Sequence, residues 1–68
     1  KYDLKKYKEA IIDFTKAIEL KPNVADFYLA RGISKYMLDL LKDACQDARK
    51  AQVLGEDKAS VLIDAACN

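Results

Sequence analysis

The chain has 68 residues, of which 12 are basic and 11 acidic, and its formal net charge is +1. A chain of this length forms one domain and buries only about 60% of its unfolded surface, so its stability is modest. The balanced charge gives no electrostatic support for nucleic-acid binding, and no apolar run approaches the roughly 20 residues that span a membrane.

The first predicted helix runs from Lys6 to Leu20. Its apolar residues recur three and four positions apart, which is the spacing of one helix face, at Tyr7, Ala10, Ile11, Phe14, Ala17, Ile18 and Leu20. Lys21 precedes Pro22, and a residue before proline is pushed out of the helical region, so the helix ends there. We expect residues 1–4 to be the tail of an earlier helix.

A second helix is predicted to extend from Asn23, as its N-cap, to about Leu38. Asparagine is a preferred N-cap residue. The carboxylate of Asp26 in the first turn interacts favourably with the positive end of the helix dipole. Gly32 lies in the middle of this helix, where glycine costs about 1 kcal/mol relative to alanine. A glycine at such a position usually marks the close approach of another helix.

The third and fourth helices are predicted to follow Asp39 and Asp57 as N-caps. Gly55 separates them as a left-handed helix stop. The inward positions of the third helix are Leu41, Ala44, Cys45, Ala48, Ala51 and Leu54. The apolar residues of the fourth are Ala59, Val61, Leu62, Ile63, Ala65, Ala66 and Cys67. Short connections make successive helices antiparallel.

The sequence repeats itself with a period of 34 residues. Ten of the 34 comparable positions are identical: residues 1, 2, 4, 8, 10, 13, 16, 17, 20 and 25 match residues 35, 36, 38, 42, 44, 47, 50, 51, 54 and 59. A fixed period of this size indicates a supersecondary unit that must stack on its neighbours to bury its apolar face. The predicted fold class is therefore an all-α solenoid of antiparallel helix–turn–helix repeats.

The segment YKEAIIDFTKAIELKP resembles the second helix of a tetratricopeptide repeat, and ADFYLARGISKY resembles the first helix of the next repeat in bacterial members of that family. The small residues Gly32, Ala44 and Ala51 fall where that family brings its two helices into contact. Glu56, Ala48 and Lys35 depart from the family pattern, as is expected of a terminal unit.

The resemblance implies three segments within one domain. Residues 1–22 form the C-terminal part of one repeat, residues 23–56 a full repeat, and residues 57–68 a capping helix. The chain starts at Lys1 within a repeat and without an initiator methionine. We therefore expect it to be a piece of a longer protein whose C-terminus lies near Asn68.

The two cysteines are placed for pairing. Cys45 and Cys67 lie at equal distances before and after the turn at Glu56, so they reach the same height on two antiparallel helices. One interpretation of this pair is a disulfide. The other is that the two cysteines are free and act as small buried hydrophobic residues. The compartment decides between them: free thiols fit the cytoplasm, and a bridge fits the periplasm or a secreted protein.

No residue pattern indicates catalysis, a cofactor or a metal. The chain contains no histidine, and two cysteines fall short of the four ligands of a structural zinc site. The serines Ser34 and Ser60 are not flanked by the glycines of a nucleophile elbow. The acidic residues Asp13, Asp43, Asp47 and Asp64 lie among lysines and are interpreted as a solvated face.

The expected function is that of a scaffold that binds a protein or peptide partner. In the family that the chain resembles, the first helix of each unit lines the concave face. The matching residues here are Tyr2, Asp3, Asn23, Val24, Asp26, Leu29, Ile33, Tyr36 and Met37. Leu29 and Ile33 occupy positions where the family's clamp for acidic C-termini needs asparagine and lysine, so that ligand is not expected.

Alternative roles remain at this stage. Tyr36 and Met37 are equally compatible with packing against an adjoining unit. Arg31 can reach a carboxylate, although a packing or surface role is favoured. A structural role in capping or self-association is the second hypothesis for the chain.

Overall fold

A computed structural model describes residues 4–67, which form four α-helices joined by short turns. The helices are α1 (Leu4–Leu20), α2 (Ala25–Met37), α3 (Leu41–Val53) and α4 (Ala59–Ala66). Each helix packs against the next, and α4 also contacts α2. No strand occurs in this part of the chain. The all-α prediction is confirmed.

The beginning of α1 differs from the prediction. Leu4 already belongs to α1 and not to the tail of an earlier helix, and residues 1–3 of that prediction lie outside the described residues. The end of α1 at Leu20, before Lys21 and Pro22, is as predicted. Leu20 itself is 84% exposed, so it does not share the buried side of the helix.

The predicted N-caps are wrong. The residues that precede α2, α3 and α4 are Val24, Leu40 and Lys58, and none of them makes a side-chain capping hydrogen bond. Asn23, Asp39 and Asp57 therefore do not cap these helices.

Asp39 instead closes the helix before it. Its φ is 65°, its N–H donates to the carbonyl of Tyr36, and the N–H of Leu40 donates to the carbonyl of Lys35 at 2.8 Å. This pair of bonds is the Schellman motif, in which the residue after the C-cap takes a left-handed conformation that aspartate tolerates better than most residues. Asp39 cannot adopt both this conformation and the extended one of an N-cap.

Gly55 closes α3 in the same way, as predicted. Its φ is 106°, its N–H donates to the carbonyl of Gln52, and the N–H of Glu56 donates to the carbonyl of Ala51. Helices α2 and α3 thus end with the same motif, which uses aspartate after α2 and glycine after α3.

The hydrophobic core lies where α3 meets α2 and α4. Ala44 and Ala48 of α3 are fully buried with Leu62 and Ala66 of α4, and the small alanines let the helices approach closely. Gly32 of α2 faces the same junction. A Cβ atom at Gly32 would lie 3.0 Å from Leu62 Cδ2 and 3.2 Å from Asp47 Cβ. The prediction that Gly32 marks a close helix approach is confirmed.

Candidate partner-binding groove

An open groove of about 420 Å³ runs between α2 and α4. We call it the α2–α4 groove. It is lined by Leu29, Ile33, Tyr36, Lys58, Val61, Leu62 and Ala65. All of these except Lys58 present aliphatic or aromatic side chains, so the surface suits an apolar partner more than a polar one.

Helical spacing places these side chains together. Leu29, Ile33 and Tyr36 are separated by four and three residues, so they form one stripe along α2. Ile33 and Tyr36 are 45% and 38% exposed, while Leu29 is partly buried against the core at the floor of the stripe. The exposed residues thus offer apolar area to a ligand, and Leu29 ties the stripe to the fold.

The predicted contact residues divide into four groups. Leu29, Ile33 and Tyr36 line the α2–α4 groove. Met37 lines an adjoining hollow of about 290 Å³, which shares Tyr36 and Ala65 with the groove. Asp26 is exposed in the first turn of α2 and lines neither space. Tyr2, together with Asp3, lies outside the described residues.

The sequence interpretation missed the wall contributed by α4. Val61 is 73% exposed there and forms this wall with Lys58, Leu62 and Ala65. A signal was present, because residues 61–66 contain five apolar residues among six. A short helix against one neighbour buries a single stripe, so some of these residues had to face outward.

A buried charge cluster joins α2 to α3 on the other side of α2. Asp47 is 5% exposed and accepts hydrogen bonds from Nε and Nη2 of Arg31 at 2.8 and 2.7 Å. The ammonium group of Lys35 lies 3.1 Å from the same carboxylate. The prediction that Asp47 belongs to a solvated face is therefore wrong. Of the two roles favoured for Arg31, packing or surface, the structure shows packing between helices.

The guanidinium of Arg31 also connects the charge cluster to α1. Its Nη1 donates to Oγ1 of Thr15 at 3.2 Å, and Thr15 donates to the carbonyl of Ile11. The guanidinium also lies 5.6 Å from the ring centroid of Tyr28. The hydrogen bond to Asp47 raises the pKa of Arg31 above its ordinary value, so the group stays charged and ties three helices together.

The position of Asp47 could have been read from its spacing. The buried residues of α3 are Ala44, Asp47, Ala48 and Ala51, which follow the i, i+3, i+4, i+7 pattern of one helix face. Asp47 thus lies on the apolar stripe, and a carboxylate there needs a cationic partner. Arg31 and Lys35, which lie four residues apart on α2, supply the positive charge that Asp47 needs.

Cys45 and Cys67 are adjacent. Their Cα atoms lie 5.1 Å apart and their sulfur atoms are in contact, so the pair is placed as a disulfide. Both residues are partly buried. The loop between them is 22 residues long, and closing a loop of that size stabilises by roughly 3 kcal/mol in the chain-entropy model.

Within residues 4–67, no group of three or more histidine, cysteine, aspartate or glutamate side chains comes together as metal ligands would. None of the four helices has the length and apolar character needed to cross a bilayer.

Four helices stacked in chain order, each against the next, are characteristic of a helical repeat protein. A family model described as a TPR repeat matches residues 1–39, more than half of the chain. The chain therefore belongs to the tetratricopeptide repeat family, whose members are typically non-catalytic modules that bind other proteins. No curated protein and no solved structure matches it.

Proposed function

We propose that this chain binds an apolar peptide or helix in the α2–α4 groove, on the concave face of the repeat. The observation that carries the proposal is the continuous apolar lining from two separate helices, with Ile33, Tyr36 and Val61 exposed together. Exposed apolar residues scattered singly need no explanation, but a shared concave surface is characteristic of a binding site.

The shape and chemistry favour an amphipathic helical ligand. A helix laid in a groove presents apolar anchors three or four residues apart, which is also the spacing of Leu29, Ile33 and Tyr36. Tyrosine is enriched among contact residues because it combines a large apolar ring with a polar hydroxyl. Lys58, as the one charged residue of the lining, favours an acidic residue on the ligand.

The test is selection from a display library of helical peptides about 15 residues long against the oxidised chain. We expect enriched peptides to carry apolar anchors at helical spacing. Ile33→Glu places a charge in the groove and should weaken binding at least about tenfold, as loss of a central contact does. Ile12→Glu is the matched control, since Ile12 is 56% exposed on α1, outside the groove.

Equal loss in both variants, or none in Ile33→Glu, would exclude the α2–α4 groove as the binding surface. Circular dichroism of each variant must match that of the parent chain, so that a change in affinity reflects the surface.

The second candidate is a structural role, in which α4 caps the array or the chain self-associates. The outer positions Ser60 and Asp64 of α4 are exposed and polar, as a terminal capping element requires. In this account the chain consists of a partial repeat (residues 1–22), a full repeat (residues 23–56) and a cap (residues 57–68). Sedimentation equilibrium separates the candidates: dimerisation abolished by Ile33→Glu, without peptide selection, would support self-association.

A further inference from the structure

We propose that the Cys45–Cys67 pair is a redox switch that controls whether the α2–α4 groove exists. The bridge holds α4 on α3, and α4 forms one wall of the groove. Reduction would release α4 and remove that wall while α1, α2 and α3 stay folded. The effect on binding rests on the proposed function, but the effect on α4 does not.

The first argument is that α4 is short. It contains eight residues, fewer than the roughly 12–15 that an isolated helix needs to be even marginally stable in water. Its helical state therefore depends on its attachment to α3 and α2. The residues that it buries are Ala59, Leu62 and Ala66, of which only Leu62 is large.

The second argument is the position of the bridge. Cys67 immediately follows the last residue of α4, and Cys45 lies near the start of α3. The α3–α4 turn already fixes one end of α4, so the bridge fixes the opposite end. With both ends held, α4 cannot swing away from the groove. With the bridge open, the end that carries Ala65 is free.

The third argument is that the rest of the fold does not depend on this bond. Arg31, Asp47 and Thr15 connect α1, α2 and α3 through charge-assisted hydrogen bonds that a reductant does not touch. Both cysteines are partly exposed, so a thiolate can reach the bridge from solvent.

The chemistry is thiol–disulfide exchange with a dithiol reductant. One thiolate of the reductant attacks a bridge sulfur, the S–S bond breaks, and the other cysteine leaves as a thiolate. The second thiolate of the reductant then attacks the mixed disulfide. This releases the remaining cysteine as a thiolate, and the reductant leaves as a cyclic disulfide. Two electrons pass to the cysteines, which take up two protons from solvent as thiols.

The test is amide hydrogen exchange on the whole 68-residue chain, with and without dithiothreitol. We expect exchange at residues 59–66 to accelerate about tenfold or more on reduction, because local opening becomes easier. Amides in α2 and in α3 after Cys45 should stay protected in the reduced chain, with an acceleration no larger than the fall in the global free energy of unfolding produces. The variant Cys45→Ala/Cys67→Ala should exchange like the reduced chain and should not respond to dithiothreitol.

Unchanged exchange at residues 59–66 would overturn the switch, and so would loss of protection throughout α2 and α3, which would indicate global unfolding. The selected helical peptide gives the second readout, with affinity for the reduced chain expected to fall about tenfold. If the oxidised chain binds no selected peptide, the proposed function fails, while the exchange at residues 59–66 still decides whether α4 is released.

Discussion

Helix α3 holds its two neighbours by different chemistry. On the α2 side, Asp47 is buried between Arg31 and Lys35, so charge and directional hydrogen bonds set the relative position of the helices. On the α4 side, small alanines and Leu62 pack closely, and Cys45 meets Cys67. The first interface depends on every charge being paired, and the second depends on close packing and one covalent bond.

The contrast explains why the contact between α3 and α2 can be permanent, whereas the contact between α3 and α4 can depend on the redox state of the cysteines. Removal of the buried carboxylate of Asp47 would leave two partly buried cations without a counter-charge and strongly destabilise the fold, but a thiol reductant does not remove it. A disulfide is removed by thiols. The four predictions below test this contrast, from the largest expected effect to the smallest.

Asp47→Ala should lower the free energy of unfolding by about 3–5 kcal/mol, because Arg31 and Lys35 are left partly buried without a counter-charge. That is a large part of the stability of a domain of this size. Urea denaturation of the oxidised chain measures it. Asp13→Ala, at an exposed position of α1, is the control and should stay within about 0.5 kcal/mol of the parent. A loss below about 1 kcal/mol for Asp47→Ala would contradict a structural role for the cluster.

Cys45→Ala/Cys67→Ala should lower the unfolding free energy by about 3 kcal/mol, from lost loop closure. Urea titrations with and without dithiothreitol measure the loss. The parent chain should become equally less stable in reductant, whereas the variant should not respond to it. If reductant leaves the midpoint of the parent chain unchanged, the bridge does not stabilise α4.

Gly32→Ala should destabilise by about 1 kcal/mol, because overpacking exceeds the gain in helix propensity. The added methyl group would meet Asp47 Cβ at 3.2 Å and the carbonyl oxygen of Ala44 at 3.4 Å, and neither of those atoms lies at the end of a flexible side chain. Thermal unfolding gives the sign directly. Stabilisation would show that α2 can move away from α3 without cost.

Lys35→Met should change stability by less than about 1 kcal/mol, since the carboxylate of Asp47 still has a cationic partner in Arg31 and is not left uncompensated. Asp47 keeps both hydrogen bonds from Arg31, and the methionine keeps the apolar stem of the lysine. Arg31→Met is the comparison variant, and its urea midpoint should fall several times further. Equal losses in the two variants would mean that Lys35 is as essential to the cluster as Arg31.

Much of the architecture was predictable from local patterns. The 34-residue period, the apolar stripes, Pro22 and Gly55 together gave four helices and their order. Gly32 was recognised as a contact point because glycine inside a helix is costly without a packing reason. Leu29, Ile33 and Tyr36 were predicted from the resemblance to the tetratricopeptide repeat, in which the first helix of each unit lines the concave face.

The helix caps were misjudged because one residue can serve either of two neighbouring helices. Asp39 is a good N-cap residue by type, but its left-handed conformation serves the end of α2. Residue type gives a preference, and the geometry of the turn decides which preference is used.

The sequence by itself determined what depends on neighbours along the chain: the helices, the repeat, the glycine contact and the equal height of Cys45 and Cys67. The tertiary structure decided what depends on two helices at once. It paired Asp47 with Arg31 and Lys35, and it set Val61 and Ala65 opposite Ile33 to form a groove. A periodic pattern identifies a helix face, but only packing determines which other face it meets and which charges that contact buries.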